Sequence, residues 1–174
     1  MTKLTSITKA KADDFQLIAD IGRVSFIESH GNSASEEDIH TYVHSKYNYD
    51  VVKQELNDPQ NFYNLIHYNN KPAGYSKIIL SSPHANIPME QVTKLERLYL
   101  LKEFYNLKLG VELFNYNIQL SKQNNQLGMW LFVWTENQRA VSFYKKAGFK
   151  IIGSHDFKLS ETHSNPNHQM LLLY

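Results

Sequence analysis

The chain has 174 residues, 42% of them hydrophobic, which is enough to fill one core, and we predict a single domain over residues 1–174. Its 18 Lys and Arg residues nearly balance 17 Asp and Glu residues, and the net charge of +1 gives no general attraction to nucleic acid or to an anionic membrane surface. The chain contains no cysteine, which excludes disulfides, thiolate metal sites and Cys nucleophiles.

The N-terminal segment MTKLTSITKAKADD has no apolar stretch like that of a signal peptide. No apolar run in the sequence approaches the roughly 18 residues that a membrane-spanning helix needs. We therefore expect a cytoplasmic protein that has neither a membrane nor a nucleic acid as its partner.

The first half of the chain contains three predicted helices followed by two predicted strands. Helical spacing of apolar residues and a Ser-x-x-Asp start signal predict helices over residues 12–27, from Ser35 onward, and over residues 49–56. Alternating apolar residues predict strands over residues 62–68 and 73–80, joined by a turn at Asn69-Asn70. The two strands form a β-hairpin, in which Gly74 marks a bulge or a close approach of backbone.

Strands and helices alternate in the second half. The predicted order is a strand at 93–100, a helix at 111–124, a strand at 129–134, a helix after Thr135, and strands at 150–157 and 168–173. A predicted turn at residues 165–167 indicates that the last two strands are antiparallel. The whole order predicts an α/β fold, more fully an α+β arrangement in which helices flank a central mixed β-sheet.

The most informative stretch is WTENQRAVSFYKKAGF, residues 134–149. Thr135 and Gln138 form a predicted capping box, and Gly148 stands where a helix ends in a left-handed residue. Helical spacing predicts one buried stripe, made of Ala140, Phe143, Tyr144 and Ala147. Tyr144 is the polar-tipped residue of this stripe. It is either a functional hydroxyl or a core tyrosine whose hydroxyl is hydrogen-bonded to backbone.

The pattern N-x-x-A-x-x-F-Y-x-x-x-G-F within this stretch resembles the C-terminal signature of the GNAT family of acetyl-CoA-dependent N-acetyltransferases. The order of elements also resembles the GNAT acyl-CoA N-acyltransferase fold over nearly the whole chain. The resemblance implies that acetyl-CoA is the co-substrate. It further implies that Tyr144 is the general acid and that Asn137 contacts the coenzyme.

In GNAT proteins the pantetheine lies along a strand that splits from its neighbour, and the pyrophosphate lies in the loop that opens the next helix. The resemblance assigns coenzyme binding to Leu98, Tyr99 and Leu100 of the strand, and to Tyr105, Asn106, Leu107, Lys108, Leu109 and Gly110 of the loop. The family pattern Q/R-x-x-G-x-G/A survives here only at Gly110. Lys108 takes the place of a glycine, so either it adopts a left-handed conformation and contacts a phosphate, or the loop binds the coenzyme weakly.

Acetyl transfer to an alkyl amine requires the neutral nitrogen, and some group must accept the proton of the ammonium. Glu96 occupies a position where related GNAT enzymes carry a base that acts directly or through water, so the resemblance implies this role. The alternative is a surface carboxylate paired with Lys94 or Arg97.

The run FIESHG at residues 26–31, the acidic residues 36–38 and the strand sequence LERLY together resemble the bacterial spermidine/spermine N-acetyltransferase branch of the family. The implied substrate is a small-molecule primary amine such as spermidine. Glu28, Glu36 and Glu37 are the implied binding residues for its remote positive charges. Acidic residues are also common in the first turn of any helix, which is the alternative for this cluster.

Several other possibilities follow from the sequence. His40 and His44 are four residues apart, as in some metal sites, but a third ligand is not evident, and we expect no metal. A peptide or protein amine is a second possible acceptor, and a homodimer stays open. The alternative to an enzyme is a non-catalytic GNAT-like domain that binds or regulates.

Overall fold

A computed structural model describes residues 4–174 of the chain. The strands of this part are β1 (Thr5–Lys9), β2 (Asn61–Tyr68), β3 (Lys71–Ile79), β4 (Thr93–Leu100), β5 (Gly128–Trp134), β6 (Lys150–Lys158) and β7 (Ser164–Leu173). Its α-helices are α1 (Phe15–His30), α2 (Glu36–Lys46), α3 (Tyr49–Asn57), α4 (Leu109–Gln123) and α5 (Gln138–Lys146). Single 3₁₀ turns precede α1 and follow β4. Within residues 4–174, no helix is both long and apolar enough to cross a bilayer.

The strands form one sheet in the order β1-β2-β3-β4-β5-β7-β6. Neighbouring strands are antiparallel except β4 and β5, which are parallel. This mixed sheet with flanking helices confirms the predicted fold class. The predicted hairpin is also confirmed, because β2 and β3 pair antiparallel and Asn69 and Asn70 between them both have positive φ. Gly74 approaches β4 so closely that a Cβ there would clash with the Tyr99 carbonyl oxygen.

Helices cover both faces of the sheet. On one face Ile18 of α1 and Val52 of α3 pack with Tyr63 and Tyr75 of the hairpin. On the other face α4 and α5 pack over the strands, and the buried side chains there are contributed by Ile66, Ile78, Leu95, Leu113, Phe114, Met129, Leu131, Val141 and Met170. We call these the α1 face and the α4 face.

The parallel pair β4 and β5 is short. Only Thr93 with Met129 and Lys94 with Trp130 are paired, after which the two strands diverge toward their C-terminal ends. Parallel strands otherwise keep a spacing of about 4.8 Å, so the divergence opens a gap through the sheet. This gap positions the candidate site.

The predicted turn at residues 165–167 is wrong. These residues belong to β7, where Pro166 is paired with Asp156, and the chain instead reverses between Leu159 and His163. Proline lacks the N–H that a strand ladder uses, but the Pro166 carbonyl accepts the Thr135 N–H at 3.0 Å. Pairing with β6 on one side and with the end of β5 on the other therefore outweighs the local turn preference.

Candidate active site

A cleft of about 460 Å³ lies where β4 and β5 diverge. Its walls come from α1, β4, β5, the loop before α4, the start of α5 and the ends of β6 and β7. The sequence-predicted site residues that line it are Glu28, Glu96, Leu98, Tyr99, Leu100, Tyr105, Gly110, Asn137 and Tyr144. The predicted residues that lie outside its lining are Glu36, Glu37, Asn106, Leu107, Lys108 and Leu109.

Tyr144 reaches the cleft from the α4 face. Its ring packs edge-on against Phe114 and Phe149, and only 9% of the residue is exposed. Burial, followed by the nearby Tyr99, raises the pKa of Tyr144 well above its ordinary value of 10.0. No group in the described part of the chain hydrogen-bonds the Tyr144 hydroxyl. The cleft therefore holds a protonated hydroxyl that is available to a ligand.

The start of α5 differs from its predicted form. Asn137, not Thr135, caps the helix, because its Oδ1 accepts the Ala140 N–H at 3.2 Å. Thr135 is still held to β7 through its N–H, so the helix begins two residues later than the capping box indicates. The C-terminal signal was right, since Gly148 has a φ of +100°. Asn137 also lines the cleft, and its amide N–H groups take no part in the cap.

The loop before α4 adopts the left-handed conformation that the first alternative required. Lys108 has a φ of 61° and Asn106 a φ of 67°. The first helical bond of α4 runs from the Glu112 N–H to the Lys108 carbonyl, so the N–H groups of residues 109–111 precede it. The Leu109 side chain is buried in the core, which leaves only its backbone to face a ligand.

Gly110 stands at this helix N-terminus and lines the cleft. A Cβ built there meets only the Leu100 Cδ1 atom, at an ordinary contact distance of 3.5 Å. Neither backbone conformation nor packing within the described chain therefore requires glycine at this position. The missing side chain leaves room beside the first turn of α4, where helix N–H groups attract an anion.

A cationic side chain stands near the same end of the cleft. The Arg139 guanidinium lies over the Tyr105 ring at 3.9 Å from its centroid, and both residues line the cleft. The sequence pattern placed Arg139 outside the buried stripe of α5 and gave no sign of this contact. It joins the start of α5 to the loop before α4.

Glu96 is the extra residue of a β-bulge. Lys77 of β3 pairs with Arg97, while the next residue, Ile78, pairs with Leu95. Because the bulge interrupts the alternation of side chains, Leu95 packs on the α4 face while Arg97 packs beside Tyr47 on the α1 face. Glu96 itself lines the cleft between them.

Charged side chains connect Glu96 to the interior. Its carboxylate lies 2.8 Å from Lys77 and 3.8 Å from Lys94, so the predicted partner Lys94 is present and the closer partner is Lys77. Glu55 then bridges Lys77 at 3.4 Å and Arg97 at 3.0 Å. The second predicted partner of Glu96, Arg97, is instead paired with Glu55.

These cations set the protonation of both carboxyl groups. Burial alone would raise the pKa of Glu96, but the attraction and hydrogen bond of Lys77, with Lys94 and Arg97, outweigh it, and the pKa lies below the ordinary 4.5. The pKa of Glu55 is likewise below 4.5, because Arg97, the Tyr63 hydroxyl and Lys77 together outweigh the effect of burial. Both groups are carboxylates at neutral pH.

The three acidic residues predicted to bind substrate are separated. Glu28 lines the cleft, and its Oε2 accepts the Lys102 backbone N–H at 2.8 Å. Glu36 and Glu37 are exposed in the first turn of α2, where Ser35 caps the helix by accepting the Asp38 N–H at 3.1 Å. The helix-start alternative thus describes the position of these two residues.

Aromatic residues of the α1 face complete the cleft, and sequence reasoning did not assign them. They include Phe26 and His30 of α1, Trp134 at the end of β5 and Phe157 of β6. Their positions depend on contacts between distant segments, for which the local pattern contains no signal. The histidine pair considered as a metal site, His40 and His44, has its Nε2 atoms 3.1 Å apart. Within residues 4–174 no third His, Asp or Glu joins this pair.

Known proteins resemble this chain in sequence and in fold. The chain is 27% identical over 161 residues to an uncharacterized N-acetyltransferase of Lactobacillus delbrueckii subsp. lactis, and the match covers 92% of each chain. It is 25% identical over 145 residues to a spermidine N(1)-acetyltransferase of Thermoplasma acidophilum, covering 83% of this chain and 88% of that one.

The fold is similar to that of the PaiA N-acetyltransferase of Thermoplasma acidophilum, solved in complex with coenzyme A. The TM-score is 0.78 at 23% identity, and the match covers 98% of this chain and 99% of that chain. Residues 29–149 match the profile of the acetyltransferase (GNAT) family. This match takes in β2 to β5, the loop before α4 and all of α5. The chain therefore belongs to the GNAT family and is an N-acetyltransferase.

Proposed function

We propose that the protein transfers the acetyl group of acetyl-CoA to a primary amine inside the cleft between β4 and β5. The observation that carries this proposal is the Tyr144 hydroxyl, which is protonated, reaches the cleft and has no hydrogen-bond partner in residues 4–174. A direct transfer needs a proton donor at the leaving thiolate and needs no covalent enzyme intermediate. The absence of cysteine from the sequence agrees with that route.

The residues at one end of the cleft fit the coenzyme. A diphosphate would take the N–H groups at the start of α4, with the room at Gly110 for its close approach. Lys108 and Arg139 would add positive charge, and the Asn137 amide would donate to the pantetheine. The backbone of Leu98 to Leu100, which β5 leaves unpaired, would lie along the pantetheine arm.

The residues of this chain would contribute to the reaction by transferring protons. The amine nitrogen forms a C–N bond with the thioester carbonyl carbon while the C–S bond breaks, and Tyr144 gives its proton to the leaving sulfur. The proton that the nitrogen loses as it becomes an amide would restore the Tyr144 hydroxyl. The amine must first lose a proton. Glu96 lines the cleft and is ionised at neutral pH, so it would accept this proton through an ordered water. Its lowered pKa makes it a weak base, so the proton would pass on to solvent rather than stay on Glu96.

The proposed acceptors are polyamines such as spermidine. The similarity to a spermidine N(1)-acetyltransferase supports this choice, as do the carboxylates of Glu28 and Glu96 within the cleft. Aromatic side chains of the α1 face would add cation–π attraction for ammonium groups. Glu36 and Glu37 would act only on the distal end of an extended polyamine, because they lie outside the cleft lining.

A panel of acceptors tests the proposal. Spermidine, a monoamine of similar length and a short peptide with a free N-terminus are each incubated with acetyl-CoA, and the released thiol is measured. We expect turnover with the amines and the highest kcat/KM with spermidine. Turnover with the peptide alone would replace the small amine by a peptide acceptor. No thiol release from any of them, with acetyl-CoA bound, would contradict the proposed acceptor class.

A further inference from the structure

His30 is the last residue of α1, and its imidazole contacts two aromatic rings in the cleft. It stacks on Phe26 with centroids 4.7 Å apart and ring planes 9° apart, and its centroid lies 5.6 Å from that of Trp134. Phe26 belongs to α1 and Trp134 to the end of β5, so the ring touches both walls. These contacts fix its orientation before a ligand binds.

The hydrogen bonds of Ser29 determine which ring nitrogen of His30 carries the proton. Ser29 Oγ lies 2.8 Å from the Ser25 carbonyl, which can only accept, so the single hydroxyl proton of Ser29 is donated there. Ser29 Oγ also lies 2.7 Å from His30 Nδ1, and the two short contacts are satisfied together when Nδ1 carries the proton and Ser29 Oγ accepts it, which is the tautomer we assign. In the neutral ring, this leaves Nε2 with its lone pair.

His30 lines the cleft. Among residues 4–174, no group hydrogen-bonds His30 Nε2. Burial lowers the pKa of His30 to about 4, so the ring is neutral at pH 7 and does not repel a cation. The hydroxyls of Ser25 and Ser29 are already donated to carbonyls of α1. Along the α1 wall, the acceptors left for a ligand are His30 Nε2 and the Glu28 carboxylate.

The face of the sheet on which His30 lies indicates which of the two substrates contacts its Nε2. Tyr144 and the start of α4, proposed above for the coenzyme, belong to the α4 face. His30 belongs with Phe26 to the α1 face. An acceptor that enters between α1 and β4 passes the His30 ring, and the group complementary to a neutral Nε2 is an N–H donor.

Resting on the proposed function, we propose that His30 is a substrate-binding residue whose Nε2 accepts a hydrogen bond from the acceptor amine and orients its nitrogen. The ring stays neutral and takes no proton from the amine. His30 would hold the amine nitrogen on the α1 side, so that the lone pair of the deprotonated amine is directed into the cleft. Ser29 is a positioning residue, because it determines the tautomer.

Substitution separates this role from a structural one. His30→Phe keeps an aromatic ring against Phe26 and Trp134 but removes both nitrogens. We expect KM for the amine to rise about 10- to 100-fold, as for loss of a hydrogen bond to a charged group, with little change in KM for acetyl-CoA. His30→Gln should recover part of the loss through its side-chain carbonyl. The matched control is His155→Phe, which changes a histidine stacked on Phe132 outside the cleft lining and should leave both KM values unchanged.

Two kinetic outcomes would overturn the proposal. A rise in KM for acetyl-CoA with an unchanged KM for the amine would assign His30 to the coenzyme. Unchanged KM values with a lower melting temperature would assign it to packing alone.

Nitrogen-15 NMR of histidine-labelled protein gives a readout that does not depend on turnover. We expect His30 to have a protonated Nδ1 and a bare Nε2, and the Nε2 signal to shift when spermidine is added in the presence of coenzyme A. A protonated Nε2, or a signal that spermidine leaves in place while the enzyme acetylates it, would overturn the assignment. A shift without any acetylation would retain the binding role and refute the proposed acceptor class.

Discussion

The Glu96 carboxylate lies 2.8 Å from the Lys77 ammonium, and Lys77 in turn lies 3.4 Å from Glu55. Lys77 is buried and sits between two carboxylates that are each more exposed than it is. Glu96, which lines the cleft, is thus paired with Lys77 of the neighbouring strand β3, which does not line it. This relationship makes the charge state of Glu96 depend on Lys77.

We expect Lys77→Met to lower the free energy of unfolding by about 3 kcal/mol, because it leaves two partly buried carboxylates without their shared cation. Urea unfolding at pH 7 measures this change. Lys94→Met is the matched control, since Lys94 is more exposed and lies 3.8 Å from Glu96, and its loss should cost less than about 1 kcal/mol. Equal effects of the two substitutions would contradict the central position of Lys77.

Stability should depend on pH through the same carboxylates. The pKa values of Glu55 and Glu96 are lower in the folded protein than the ordinary 4.5, so their contribution is fully present above that value. It is lost as the pH falls through the lower folded pKa values. Urea unfolding is measured between pH 7 and pH 3. The urea concentration at the unfolding midpoint should decrease once the pH is below about 5, and this decrease should be smaller in Glu55→Gln. A midpoint independent of pH over this range would refute the lowered pKa values.

Gly110→Ala tests the coenzyme end of the cleft. A Cβ there makes only an ordinary contact, so we expect unfolding free energy to change by at most about 1 kcal/mol. Acetyl-CoA affinity should fall by about 1–3 kcal/mol, because the methyl group occupies the room proposed for the diphosphate. Calorimetric titration measures it. Gly74→Ala, where a Cβ would meet backbone, should instead destabilise the fold, and unchanged affinity in Gly110→Ala would move the diphosphate elsewhere.

Glu28→Gln tests the polyamine acceptor. Removal of a carboxylate within the cleft should raise KM for spermidine more than KM for a monoamine, because only the polyamine has remote charges to lose. The double substitution Glu36→Gln with Glu37→Gln should have a smaller effect, since these residues are solvent-exposed and their attraction is screened. An equal rise in KM for both amines in Glu28→Gln would remove Glu28 from polyamine recognition.

Local patterns predicted the elements that carry their own signals. The bounds of β4 agree with the prediction, Ser35 caps α2 as expected, and the Asn69-Asn70 turn joins the hairpin. Strand β1 was not predicted, because its five residues TSITK alternate only weakly and depend on pairing with β2. The start of β7 was missed for a similar reason, since pairing decides it.

The site was predictable where a residue acts through its own helix or strand. Tyr144, Asn137 and Gly110, which the family resemblance assigned to the site, line the cleft, and their roles stay predictions. The partnership of Glu96 with Lys77 was not predictable, because it follows from a bulge in β4 that brings one residue out of register. His30 was likewise not assigned, since its surroundings include Trp134, more than a hundred residues away in the sequence.

The most direct test of the account is Tyr144→Phe, followed by acetyl-transfer rate, acetyl-CoA affinity and melting temperature in the same preparation. The substitution keeps the ring and removes a hydroxyl that has no hydrogen-bond partner in residues 4–174, so folding and acetyl-CoA binding should be retained. We predict that kcat falls about 10²- to 10⁴-fold, as expected for loss of a general acid. Normal turnover together with a lower melting temperature would contradict the account and make Tyr144 a packing residue.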